Sequence, residues 1–249
     1  MAKTYSQKGL IEGIHAGEYS KFNLPRDLFE FTYNELVEEV EKVFGEKISF
    51  PEDDEREEIV KSLKANLAQF SGAKTFTEVN EISKFLFDSE GFKLSFKDFQ
   101  EIVKPIDDKF NKVWLKTEQD TSFGQSQSAD SWLQYEKEKD IFPLLKYQTA
   151  DDERVRHEHA AWDNKVFPVD HEFWDTRMPL NGYNCRCRVI QLREGKESTF
   201  KGVQENTDKQ FQKNPGKSGE IFTKKHPYFK VKRGDKNLTR NNYGLGEPS

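Results

Sequence analysis

The protein has 249 residues, a formal net charge of −5 and 33% charged residues. No apolar run approaches the roughly 18 residues of a membrane span, and the N-terminal segment lacks the apolar core of a secretory signal, so a cytoplasmic product is expected. The 21 Phe, 8 Tyr and 4 Trp supply bulk for a hydrophobic core and exclude disorder throughout, while 2 Cys are too few for a disulfide scaffold.

Two helices are predicted in the first part of the chain. The first begins after Asn23, a favourable N-cap, with Pro25 in its first turn, and it ends at Gly45. Apolar residues recur at helical spacing between these points. The second helix begins near Pro51, where the acidic residues that follow favour the positive end of the helix dipole.

Two further helices are predicted before the middle of the chain. Thr75 and Glu78 have the spacing of a capping box and indicate a helix start. A longer helix begins near Ser95 and keeps its apolar face as far as Trp114, with Pro105 as a kink or break. We interpret all these apolar stripes as helix–helix packing.

The second half of the chain has a mixed pattern. Residues 114–141 are polar but compatible with a helix, and residues 142–147 are typical of a short strand introduced by a proline. Asp151 or Asp152 is expected to cap a short helix that ends near Trp162.

A turn and a strand are predicted after that helix. The loop that follows Trp162 ends at the Asn181-Gly182 pair, which favours a turn. Residues 185–192 then alternate as a strand does, with Cys185 and Cys187 on one face.

Charge is unevenly distributed along the chain. Residues 27–58 hold 13 acidic and 3 basic residues, whereas residues 209–240 hold 10 basic and 2 acidic ones. Three interpretations of the basic segment stay open: contact with nucleic-acid phosphates, contact with an acidic protein surface, or a solvated extension with little order. The candidate nucleic-acid contacts are Lys224, Lys225, Lys230, Lys232 and Arg233.

Both cysteines and three of the five histidines fall between residues 149 and 189. If Cys185 and Cys187 lie on one strand face, both sulfurs can reach one metal ion, and His159 and His171 would complete a Cys2His2 tetrahedron. His157 competes with His159 for the ligand position on the helix. The alternative is a set of ordinary buried thiols and histidines without metal.

The same stretch contains a short charged run. Arg154 and Arg156 are predicted to be partly buried and to pair with carboxylates, because acidic residues lie close by. The candidate partners are Asp152, Asp170 and Asp175. The alternative is phosphate binding, since guanidinium groups suit phosphate oxygens.

No catalytic motif is recognisable in the sequence. There is no Gly-rich phosphate loop, no G-x-S-x-G elbow and no H-E-x-x-H helix. A cysteine nucleophile beside a histidine has no motif to support it. No catalytic residue is therefore assigned.

The stretch resembles the Mu F-like family of phage head morphogenesis proteins, also called minor head or minor capsid proteins. The family pattern is D-x-R-V-R-x-x-H, then an aromatic pair, then P-P-N-G-W-N-C-R-C. Here Leu180 replaces the second proline and Tyr183 the tryptophan. Flanks that include Asn214-Pro215-Gly216 extend the resemblance to roughly residues 60–230. The motif residues are Asp152, Arg154, Arg156, Trp174, Asn181, Gly182 and Asn184.

The predicted elements indicate an α+β fold with three parts. A predominantly helical region covers residues 1–108, a small mixed Mu F-like module covers 109–193, and a basic, partly irregular tail covers 194–249. The role that the resemblance implies is a minor head protein and not an enzyme. Zinc is the one cofactor considered.

The implied partners are the portal protein and procapsid or scaffold components, with packaged DNA as a further candidate and neither a membrane nor a small-molecule substrate. The implied location is the head interior of the virion, and the host cytoplasm during assembly. The main alternative is a metal-dependent enzyme or toxin-related effector, which an open metal position with three protein ligands would favour. A plain DNA-binding protein is a third interpretation.

Overall fold

The computed structural model describes residues 5–45, 55–199 and 208–248. They form the α+β fold that was predicted, with a helical N-terminal half and a small antiparallel sheet. The predicted helix start near Pro51 lies outside the described residues. The described helices are α1 Gln7–Ala16, α2 Arg26–Phe44, α3 Glu55–Ser83, α4 Phe96–Asp108, α5 Leu115–Glu138, α6 His157–Ala160, α7 Phe173–Arg177, α8 Pro215–Ser218 and α9 Arg240–Tyr243. The strands are β1 Leu144–Gln148, β2 Val166–Pro168 and β3 Arg188–Leu192.

The chain divides into two compact units. The first comprises the described residues of Met1–Glu38, Leu67–Gln119 and His226–Ser249, and the second those of Glu39–Asn66 and Asp120–Lys225. Neither unit is one continuous stretch of chain. The predicted boundaries at 108/109 and 193/194 concern the organisation of the sequence and stay a prediction.

Local capping explains the predicted helix ends that the structure confirms. Gly45 closes α2 with a φ of 97° and donates its N–H to the carbonyl of Glu41 at 2.7 Å. The Ser95 hydroxyl accepts the N–H of Asp98 at the start of α4. The core of the first unit is aliphatic and aromatic: Leu10, Ile11, Ile14, Leu28, Val79, Ile82, Phe99 and Val103.

Two helix predictions were wrong. Thr75 and Glu78 do not start a helix, because α3 runs unbroken from Glu55 to Ser83 and both side chains are buried in its interior. Of the kink or break predicted at Pro105, the break was wrong, since α4 continues to Asp108 and is followed directly by a π-helical turn, Lys109–Trp114, and then by α5. Proline has no backbone N–H to donate within a regular helix. The π-helical turn, which is wider than an α-helical turn, begins four residues after Pro105.

The second unit is built around the sheet, in the strand order β2-β1-β3. Both pairings are antiparallel, with Leu145 opposite Phe167 and Tyr147 opposite Val189. The sheet packs on a largely aromatic core: Trp132, Leu145, Tyr147, Trp162, Phe167, Val169, Phe173, Trp174 and Met178. β1 lies close to its predicted position, whereas β2 and α7 occupy a stretch that was predicted to be a loop.

The ends of two predicted elements differ from expectation. The short helix α6 begins at His157, and the Asp152 carboxylate instead accepts the N–H of Arg154 in a preceding turn. β3 begins at Arg188, so the cysteines lie in the segment before the strand.

Residues 208–248 are not a solvated extension, so that interpretation was wrong for the described part of the tail. In the second unit, the side chain of Asn66 accepts the N–H groups of Ile221 and Phe222 at 2.9 Å. In the first unit, Tyr228 packs against Phe70 with ring centroids 5.4 Å apart. None of the described helices has the length and apolar character needed to cross a membrane.

Candidate metal centre

His159 lies on α6 with 2% of its surface exposed. Its ring stacks on Trp162, with centroids 5.2 Å apart and an interplanar angle of 21°. This stacking fixes the ring plane and directs Nδ1 towards the segment before β3. Nε2 is buried and makes no hydrogen bond within the described part of the chain.

A tight turn places the two cysteines. The Asn181 amide is 1% exposed and donates to the Tyr147 hydroxyl and to the Arg177 carbonyl, both at 3.1 Å. Asn184 adopts a φ of 57°, a left-handed conformation that asparagine tolerates. The Cys185 N–H then donates to the Gly182 carbonyl at 3.1 Å. This turn holds the sulfur atoms against α6.

The three potential ligand atoms converge. Sγ of Cys185 lies 3.7 Å and Sγ of Cys187 lies 3.6 Å from Nδ1 of His159. All three atoms lie within 4.8 Å of one another. Zinc–sulfur and zinc–nitrogen bonds at tetrahedral angles place a sulfur and a nitrogen ligand about 3.6 Å apart. The observed separations therefore fit a tetrahedral metal ion. We call these three residues the Cys–His cluster.

Hydrogen bonding shifts the pKa values of the two thiols in opposite directions. The pKa of Cys185 is lowered, first because the Cys187 thiol donates to its sulfur, and further by His159 and the backbone of Asn181, which together outweigh the opposing effect of burial. The pKa of Cys187 is raised, because it donates to that sulfur and is partly buried. The cluster therefore holds one thiolate readily, and a cation would favour the second.

The fourth predicted ligand lies elsewhere. His171 stacks on Phe167 with centroids 4.6 Å apart, and its Nδ1 accepts the N–H of Phe173 at 3.0 Å. His157 is exposed, which decides the predicted competition for the helical position in favour of His159. Among the described residues, no fourth His, Cys, Asp or Glu joins the cluster.

The arginines of the motif are exposed, so the predicted burial was wrong. The Arg154 side chain is 71% exposed and lies 3.9 Å from Asp152. Arg156 is also exposed and donates to the Tyr183 carbonyl at 2.7 Å. The other predicted partners, Asp170 and Asp175, pair instead with Lys139 and Lys217.

Asp152 is bound by a residue that was not predicted. Arg186, between the two cysteines, donates to both carboxylate oxygens at 2.6 and 2.7 Å. This fork holds the pKa of Asp152 at about 2. The strand pattern placed Arg186 on the face away from the cysteines and gave no sign of its partner.

Two other motif residues are closely packed. Trp174 is fully buried and donates Nε1–H to the Pro168 carbonyl at 3.0 Å. A Cβ at Gly182 would lie 3.1 Å from the Arg156 guanidinium, so glycine permits that close approach. The five candidate nucleic-acid contacts are all exposed: Lys224, Lys225, Lys230, Lys232 and Arg233.

Comparison with known proteins identifies related sequences. Residues 94–190 match the family described as "Phage Mu protein F like protein". Over 64 residues the chain is 44% identical to "Putative capsid assembly protein F" of Escherichia phage Mu, covering 26% of this chain and 15% of that protein. Over 66 residues it is 35% identical to "Mu-like prophage FluMu F protein" of Haemophilus influenzae, covering 26% and 16%. No solved structure matches the chain. The resemblance to the Mu F-like family is thus confirmed for residues 94–190, and the aligned stretches of 64 and 66 residues span about a sixth of the two relatives.

Proposed function

Because residues 94–190 are Mu F-like, we propose that this protein acts in phage head assembly as a minor head protein. Two observations together support this proposal. The matched segment contains the whole Cys–His cluster, and a relative that matches over 64 residues is named as a capsid assembly protein. The proposed location is the host cytoplasm during assembly and the head interior afterwards.

The proposed partners are the portal protein and the procapsid or scaffold. The exposed basic residues support an additional contact with packaged DNA, because exposed lysine and arginine side chains neutralise phosphates and release counterions. In this role the protein binds and positions other head components and does not turn over a small substrate.

We also propose that the Cys–His cluster binds zinc. Two thiolates and one imidazole are ligands that zinc prefers, and their sulfur–nitrogen separations of 3.6 and 3.7 Å suit tetrahedral geometry. Bound zinc would link α6 to the segment before β3. The contribution would be to folding, since such an ion ties together two parts of the chain that are far apart in sequence.

A metal-dependent enzyme is the second candidate, and one observation favours it. Three protein ligands leave a fourth position for water or substrate, as in catalytic zinc sites, whereas structural sites have four. The described residues supply three. Zinc-dependent hydrolysis of a model ester that is lost in Cys185→Ser would support the enzyme.

The test of head assembly uses infected cells that carry the full-length protein. Mass spectrometry of purified procapsids and virions is expected to find it at fewer copies than the major capsid protein, and pull-down is expected to recover the portal. Cys185→Ser should reduce incorporation, while His171→Ala, outside the cluster, serves as the matched control. Consistent absence from both particles would contradict the proposal.

A further inference from the structure

A small cavity opens beside the Cys–His cluster. Its lining includes His159, Cys185 and Cys187 together with Arg154, Arg156 and Arg186, and its volume is about 20 Å³. We call it the arginine cavity. A larger cavity of about 440 Å³ also touches both cysteines, but its lining does not include His159. Of these two, the arginine cavity alone touches all three ligand residues, which makes it the natural place for a fourth ligand.

The lining of the arginine cavity is positively charged. Three arginines and no acidic residue belong to the lining. Asp152, outside the lining, neutralises Arg186. A divalent ion bound to two thiolates adds no net charge, so the charges of Arg154 and Arg156 remain. The chemistry therefore favours an anion.

Arg154 and Arg156 use few of their side-chain N–H donors within the described part of the chain. Arg156 gives one hydrogen bond to a backbone carbonyl, and Arg154 is only loosely paired with Asp152 at 3.9 Å. A guanidinium group has five N–H donors in a planar fork that matches phosphate oxygens. Both arginines are exposed, which contradicted the predicted structural ion pairs. An anion-binding site at the surface requires such exposed side chains.

The size of the cavity restricts the ligand atom. A water molecule needs roughly 10–15 Å³ of such space, so 20 Å³ holds one oxygen atom but no protein side chain. The remainder of a tetrahedral anion would lie outside, between the exposed arginines.

We infer that the arginine cavity binds a phosphate group and that one phosphate oxygen is the fourth ligand of the metal. This inference rests on the proposed zinc site. The phosphate comes either from inorganic phosphate or from a nucleic-acid backbone, and both present the same oxyanion to the arginines.

The experiment uses the full chain with Co²⁺ in place of zinc, because the visible bands of Co²⁺ respond to a change of ligand. Inorganic phosphate at constant ionic strength is expected to shift these bands in a saturable manner, whereas chloride leaves them unchanged. Arg154→Gln should weaken phosphate affinity at least about tenfold, since a charge-assisted contact is lost. Arg188→Gln is the matched control, because Arg188 is absent from the cavity lining, and it should change affinity less than about twofold.

Arg156→Gln gives a second measurement but also removes the bond to Tyr183, so its fold is checked by circular dichroism. Short duplex DNA is titrated in parallel. A shift with DNA assigns the phosphate to a nucleic-acid backbone, and a shift with inorganic phosphate alone assigns it to the free ion; both support the inference.

Three results would overturn the inference. Failure to bind Co²⁺ removes the zinc proposal and this inference together. Co²⁺ that binds but does not respond to either phosphate source leaves the zinc proposal intact and refutes only the phosphate ligand. An equal response in the parent and in Arg154→Gln places the anion elsewhere.

Discussion

The ammonium group of Lys74 and the carboxylate of Glu118 form a buried ion pair at 2.5 Å in the first unit. The Lys74 side chain is 0% and that of Glu118 5% exposed. The hydroxyl of Tyr228 donates to the other Glu118 oxygen at 3.0 Å. Helices α3 and α5 and the segment near the C-terminus thus share one buried polar contact.

Lys74→Met is expected to lower the free energy of unfolding by about 3–5 kcal/mol, because it leaves the Glu118 carboxylate buried without its cation. Urea denaturation gives the value. Lys84→Met is the control, since the exposed Lys84–Glu81 pair should contribute less than about 1 kcal/mol. Equal effects of the two variants would show that burial does not govern the Lys74 pair.

Zinc removal should destabilise the parent protein. A chelator is expected to lower its melting temperature by at least about 4 °C but to leave Cys185→Ser unaffected, because that variant lacks a ligand. His171→Ala should keep a full equivalent of zinc, as His171 lies outside the cluster. Elemental analysis of untagged protein that finds less than about a tenth of an equivalent would refute the metal site.

Stability should depend on pH through Glu78. Burial, and then the charge of Asp107, raise the pKa of Glu78 well above its ordinary value, against the opposing effects of Lys74 and Asn111. The protonated carboxyl therefore stabilises the folded state fully below the unfolded-state pKa of about 4.3. That contribution is lost as pH rises through the raised folded-state pKa.

Glu78→Gln keeps a neutral side chain at every pH. The parent should lose more unfolding free energy than this variant between about pH 5 and pH 8, as measured by urea denaturation. Glu81→Gln, at an exposed site on the same helix, controls for the removal of a charge. Parallel pH profiles for the parent and Glu78→Gln would exclude this role.

Packing at Gly216 predicts a steric effect. A Cβ at this position would lie 2.5 Å from Cβ of the buried Trp132. Gly216→Ala should therefore destabilise the protein by about 1–3 kcal/mol through overpacking. Gly234→Ala is the control, because no heavy atom lies within 4 Å of its added Cβ. Thermal melting that is the same for both variants would contradict the expected clash.

Prediction of the site from sequence failed for two different reasons. His171 suited a metal by residue type and position, yet its ring stacks on Phe167, four residues earlier, and accepts the N–H of Phe173, so contacts within its own segment occupy it. Arg154 and Arg156 had acidic neighbours in sequence, but Arg186 binds Asp152 from 34 residues away. A bidentate fork outcompetes the looser contact with Arg154.

The sequence by itself determined the features that depend on neighbouring residues. The caps at Ser95 and Gly45 satisfy backbone groups within one turn, and the two cysteines are brought together by a single intervening residue. Only the tertiary structure decided that α3 continues through Thr75, because burial of that side chain outweighs its capping preference. It also decided which histidine meets the sulfurs, since that choice depends on the stacking of His159 on Trp162 inside an aromatic core assembled from distant segments.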